Sequence, residues 1–191
     1  MATCFIPPDI VLRSVRQDRH SDFVTFLLSI LDSVVVEDLV RDYQLGVTSK
    51  KDVIFFQLDI GGSCRTGKIM KYDPETGHRI KDENTSGRIN WVHSVLKARG
   101  MLPEDWTLTQ CLFGEHLLQQ YPKKVVALVE SEKTAVICAG LMPRFLKAAE
   151  FVSADKLEEL EALIRDLGLQ FIRAEKMPED CHPEPAEGSP P

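Results

Sequence analysis

Residues 123–140 read KKVVALVESEKTAVICAG, and this stretch decides the fold. Residues 125–129 are an unbroken apolar run of strand length, mostly valine, which suits a strand buried within a parallel sheet. Ser131 then caps a helix over 131–139. Glu130 falls at the carboxyl end of the strand, where open α/β sheets bind their ligands. A carboxylate there is partly desolvated and can act as a general acid/base or hold a divalent metal. It can equally be a first-turn acid that complements the helix dipole.

Downstream, 148–152 is a strand candidate. Ser153 caps a helix whose Leu157, Leu160, Ile164 and Leu167 share one face, and Gly168 stops it. Residues 169–173 form another strand candidate. Strand, helix, strand, helix, strand predicts parallel βαβ units. From 177 the chain is rich in Pro and Glu and is expected to be disordered.

Upstream, residues 53–60 (VIFFQLDI) are β-branched and aromatic, a strand pattern. Gly61 and Gly62 mark a turn, and 64–72 returns as a second strand. Residues 73–77 form a further turn, so a hairpin over 53–72 is expected. Residues 81–88 are polar and loop-like, and 89–96 fits either strand or helix. Nearer the start, Pro7 and Pro8 predict an extended segment over 5–9. Ser21 caps a helix with Phe23, Phe26, Leu27, Ile30 and Leu31 on one face. A short helix over 36–43 follows, with Gly46 as its stop. The fold class expected is α/β: an α+β part over 1–121, a parallel α/β unit over 122–176 and a tail over 177–191.

The 191 residues suffice for a core. No apolar run approaches the roughly 20 residues of a membrane helix, and the start lacks the pattern of a signal peptide. A cytoplasmic protein is therefore expected. The five cysteines, Cys4, Cys64, Cys111, Cys138 and Cys181, form no CxxC pair. No zinc site and only reduced thiols are expected. The net charge of −6 is uneven: residues 50–99 hold ten Lys/Arg against six Asp/Glu, whereas 150–191 hold four against eleven. Any binding to a nucleic-acid backbone therefore falls to the middle segment.

Within that segment Arg65, Lys68 and Lys71 could contact phosphates from an exposed ribbon, or simply keep the strand soluble. Residues 62–68 also match G-x₄-G-K. A phosphate-binding loop would need Ser or Thr next and a helix after it, whereas Ile69 and a strand follow. His93 and His116 can line a cleft near Glu130 or be structural. Trp91 and Trp106 suit a core or cleft wall.

The motif VALVESEKTAVICAG resembles the first motif of Toprim domains, a strand ending in Val-Glu followed by a helix. CLFGEHLLQQYPKKVVALVE and FFQLDIGGSCRTGKIMKYD resemble, in the same order, the region of bacterial replicative primases that leads into Toprim. Together, RTGKIMKYDPETGHR, WVHSVL, LFGEHLL and ALVESEKTAVI resemble primase-like proteins encoded by conjugative elements of Bacteroidetes-type bacteria. The likeness covers residues 5–143. It implies Glu130 as the catalytic acid in phosphoryl or nucleotidyl transfer, with Glu132 beside it and Lys133 among the nucleic-acid contacts. It implies Mg²⁺ as cofactor, single-stranded DNA as a weakly held partner, and replication or mobilisation proteins as further partners.

The chain departs from the Toprim pattern in lacking Asp-x-Asp. Glu175, after the last strand, is the nearest candidate for a second metal ligand with Glu130. The zinc ribbon that precedes this region in such proteins is absent, and the strand expected after Pro143 is not evident. These departures leave a non-catalytic binding module, or a shortened primase-like chain, as the alternative.

Overall fold

The computed structural model describes residues 4–15, 20–81, 89–121, 125–141, 145–149 and 171–173, the last two segments by their backbone. The chain opens with helix α1 (Pro8–Val15). The extended segment expected over 5–9 therefore ends earlier than its two prolines suggested. Pro8 sits in the first turn, where its fixed φ suits a helix and its missing N–H costs nothing. Helix α2 (Asp22–Ile30) begins as expected, with Ser21 Oγ accepting from Val24 N at 3.2 Å. Helix α3 (Ser33–Asp42) is capped by Asp32, whose carboxylate accepts from Val34 N. The left-handed turn after α3 falls on Gln44 (φ 48°), not on Gly46. Gly46 belongs to strand β1 (Gly46–Val47), and a Cβ there would lie 2.6 Å from the Phe56 ring.

Strands β2 (Val53–Leu58) and β3 (Cys64–Met70) form the expected hairpin, with Phe55 opposite Lys68 and Phe56 opposite Gly67. The ambiguous stretch after residue 88 divides into strand β4 (Asn90–Trp91) and helix α4 (Val92–Ala98). The four strands make one antiparallel sheet in the order β1-β2-β3-β4.

Every residue of β2 is buried. Val53 and Phe55 join a cluster with Phe23, Leu27 and Phe113, while Ile54, Phe56 and Leu58 join another with Ile6, Val92 and Trp106. Phe55 meets Phe23 and Phe113 edge-on, each at 5.5 Å between centroids. The sheet is thus covered on both faces, and each buried Phe contributes roughly 1.5–3 kcal/mol.

A single turn, helix α5 (Leu117–Gln120), precedes strand β5 (Val125–Val129) and helix α6 (Glu132–Leu141). Strands β6 (Phe145–Ala149) and β7 (Phe171–Arg173) flank β5, both parallel to it. The fold class is mixed α/β, an antiparallel sheet followed by a parallel strand–helix–strand unit. Strand β6 begins just after Pro143, where none was evident, and ends before most of the 148–152 candidate. Its sequence, FLKAA, has no β-branched residue; pairing with β5, not propensity, holds it extended. Val126, Ala135 and Val136 pack into the same cluster as Phe23 and Phe55, so one core continues past residue 121. The helix expected over 153–167 and the tail over 177–191 lie outside the described residues, as do residues 82–88. Among the described residues no helix is long and apolar enough to cross a membrane.

Candidate functional site at the carboxyl end of the parallel sheet

The parallel sheet has the order β6-β5-β7. The chain leaves β5 for one neighbour and later returns to the other side, so strand order reverses at β5. Such a reversal opens a crevice at the carboxyl ends of the strands, the usual ligand site of an open α/β sheet. Leu128 is opposite Arg173 and Val129 opposite Ala149, so the three strands end side by side. Glu130 follows directly and is exposed to solvent. Glu175 lies outside the described residues, two positions beyond the end of β7.

Ser131 caps the helix after Glu130: its Oγ accepts from Thr134 N at 3.2 Å, and its carbonyl accepts from Ala135 N at 2.9 Å. The next two residues turn away from solvent. Glu132 is buried and takes a 2.6 Å hydrogen-bonded ion pair from Lys68 Nζ, which is buried too. Lys68 also stands 5.7 Å over the Trp91 ring. Lys133 Nζ donates to the Gly77 carbonyl at 2.7 Å and lies over the rings of Tyr72 and Phe26. Burial pushes its amine below the ordinary value.

The hairpin cations expected to track a phosphate backbone therefore have separate fates. Lys68 is inside. Arg65 Nε donates to Asp59 Oδ2 at 2.7 Å, with both side chains largely covered, and its guanidinium stacks over Phe5. Asp59 also accepts from Gly61 N and Ser63 N, so it ties the Gly61-Gly62 turn together. Lys71 alone of the three is exposed. Sequence alternation separated Lys68 from Lys71 correctly but could not tell that the Lys68 face is covered by α6.

The two histidines are held in place by the scaffold. His93 Nδ1 is hydrogen-bonded to Thr66 Oγ1 at 2.7 Å, and its ring stacks on Trp106 at 5.4 Å. Burial, then the Lys97 charge, lowers its pKa. His116 Nε2 lies 2.8 Å from the Asp42 carbonyl, which can only accept, so Nε2 carries the proton. Its Nδ1 is buried without a described partner, and burial lowers its pKa. The neutral form is thereby favoured. Trp106 is buried in the core, and Trp91 is half-buried.

Glu115, which the sequence did not single out, is a structural acid. Its Oε1 accepts from Ile60 N and its Oε2 from Leu112 N. Burial raises its pKa despite these bonds. The feature LFGEH contained it, but its partners lie up to 55 positions away. None of the four described cysteines is disulfide-bonded. Burial pushes the Cys64 thiol up to about 12, far from a reactive thiolate.

Comparison with known proteins places residues 21–163 within a family model described as Domain of unknown function (DUF6371). The match spans most of the chain, which belongs to that family. No curated protein and no solved structure matches it.

Proposed function

We propose that this member of a family of unknown function is a primase-like, Toprim-type module that engages nucleic acid at the carboxyl edge of its parallel sheet. The observation that supports this most is the reversal of strand order at β5 with Glu130 exposed beside it. Of the two acids in the Glu-Ser-Glu sequence, only Glu130 has its carboxylate in solvent. A Mg²⁺ ion there would take Glu130 and complete its shell with substrate phosphates and water, the usual habit of that ion. When bound it would neutralise charge on a transferring phosphoryl group. Glu130 itself would orient the ion or accept a proton from the attacking hydroxyl.

The test is Mg²⁺-dependent nucleotidyl transfer onto a single-stranded template, with Glu130→Gln alongside. Transfer by the unmodified chain, abolished in Glu130→Gln, supports the reading. Transfer unchanged in Glu130→Gln defeats it. Binding of single-stranded DNA should be weak and should fall as salt rises; no binding even at low salt would remove nucleic acid as partner.

A second reading is favoured by the fate of Glu132. With that acid locked to Lys68, the junction offers one free carboxylate, which suits a module that binds without chemistry and works beside a replication or mobilisation protein. DNA binding without transfer in Mg²⁺ or Mn²⁺, and unaltered in Glu130→Gln, would select it.

A further inference from the structure

The first turn of α6 is pinned at three consecutive residues. Ser131 closes the turn on itself, Glu132 is tied to β3 through Lys68, and Lys133 is tied to the 73–77 turn through the Gly77 carbonyl. The outer ties reach β3 and the turn that follows it, 64 and 56 positions back along the chain. The anchor is itself rigid. Asp73 Oδ1 accepts from Glu75 N and Thr76 N, and Gly77 holds φ 65° with Phe26 packed where a Cβ would be.

A buried ion pair is poor evidence of stability, because desolvating both ions offsets their attraction; its better-attested use is to fix one arrangement among several. An apolar pair can hold two elements together about as firmly without specifying which atoms meet. Lys68–Glu132 joins one position of α6 to one position of β3, and Lys133 joins the next residue of the helix to the Gly77 carbonyl. Glu130 precedes this turn by one residue, so its place follows from these ties.

We infer that Lys68, Glu132 and Lys133 are positioning residues, which make β3 and the turn after it the clamp that holds the Glu130 junction. This rests on the reading of Glu130 given above. The hairpin thereby acquires a function other than tracking a nucleic-acid backbone.

The experiment uses the full chain as wild type, Lys68→Met/Glu132→Leu, Lys68→Arg and Lys133→Met. The double variant removes both charges together, so that neither is left buried alone. Two readouts are taken: amide hydrogen exchange at Thr134 and Ala135, and Mn²⁺-dependent binding of a fluorescein-labelled oligo-dT. The double variant should keep a cooperative melt and wild-type protection in β2, yet exchange Thr134 and Ala135 at least tenfold faster and lose the Mn²⁺-dependent part of binding. Lys68→Arg, which keeps the cation, should restore both. Wild-type exchange at Thr134 and Ala135 in the double variant would overturn the inference, as would failure of Lys68→Arg to recover them. If the double variant does not fold, Lys133→Met decides: tenfold faster exchange supports the clamp, wild-type exchange overturns it. If the wild-type chain shows no Mn²⁺-dependent binding, the functional reading fails, while the exchange data still judge the clamp.

Discussion

The β2–β3 hairpin and the β5–α6 junction touch through one ion pair, and they handle charge in opposite ways. The hairpin lies in a sheet covered on both faces, and two of its three candidate cations are committed to Asp59 and Glu132. The junction buries Glu132 but leaves Glu130 in solvent at the edge of three parallel strands. An antiparallel sheet of this kind has one face free to meet solvent only if nothing packs on it; here helices take both. In an open parallel sheet the strands share a carboxyl edge, and ligands usually bind there. Charge placed within the first architecture becomes structure, and charge placed at the end of the second stays available.

The sharpest way to break this contrast is to remove one half of the buried pair. Lys68→Met alone leaves the Glu132 carboxylate buried and unpaired, which should cost about 3–5 kcal/mol in urea unfolding. Lys71→Met, one strand position outside the core, should leave the unfolding midpoint unchanged. Equal effects of the two would mean that the hairpin cations are not divided as described.

A smaller loss should follow from Gly77→Ala, which combines a left-handed φ with a Cβ 2.6 Å from Phe26. Roughly 1–3 kcal/mol is expected from a strained backbone site, measured as a lower thermal midpoint. Exchange at Thr134 should quicken in the same variant, since Gly77 also anchors Lys133.

Smaller again is the effect of pH through His116. Its folded pKa is lowered by burial, so below the unfolded value of about 6.5 the unfolded chain binds more protons. The stability contributed by neutral His116 is therefore full above that pH and lost as pH falls toward the folded pKa. Urea midpoints should drop between pH 7 and pH 5, and His116→Gln should flatten that drop. An unchanged slope in His116→Gln would show that His116 titrates as it does in the unfolded chain. Least of all, Glu130→Gln should not shift the melting temperature, because its carboxylate is exposed; a clear shift would make Glu130 structural.

Much of the scaffold was legible locally. Ser21 before a 3–4 apolar spacing, Gly61-Gly62 between two β-rich runs, and the valine run before Ser131 each carry their own instruction. What was hidden depended on partners far away in sequence. Pro8 could be either the end of an extended segment or the first turn of a helix, and only packing of Val11 against Ile6 and its neighbours decides. FLKAA becomes a strand because β5 offers an edge. Alternation in β3 put Lys68 and Lys71 on opposite faces, but which face was covered depended on a helix 64 positions downstream. The place of Glu130 at the end of β5 was legible because a strand end announces itself, whereas the fate of Glu132 two residues later was not.

The most direct test maps where a divalent ion acts. Mn²⁺ titrated into the ¹⁵N-labelled chain with single-stranded oligo-dT should broaden amide signals around residues 129–132 and the end of β7, leaving 65–71 sharp, and Glu130→Gln should abolish the effect. Broadening centred on 65–71, or unchanged in Glu130→Gln, would contradict the account that the parallel-strand edge is the working site and the hairpin its support.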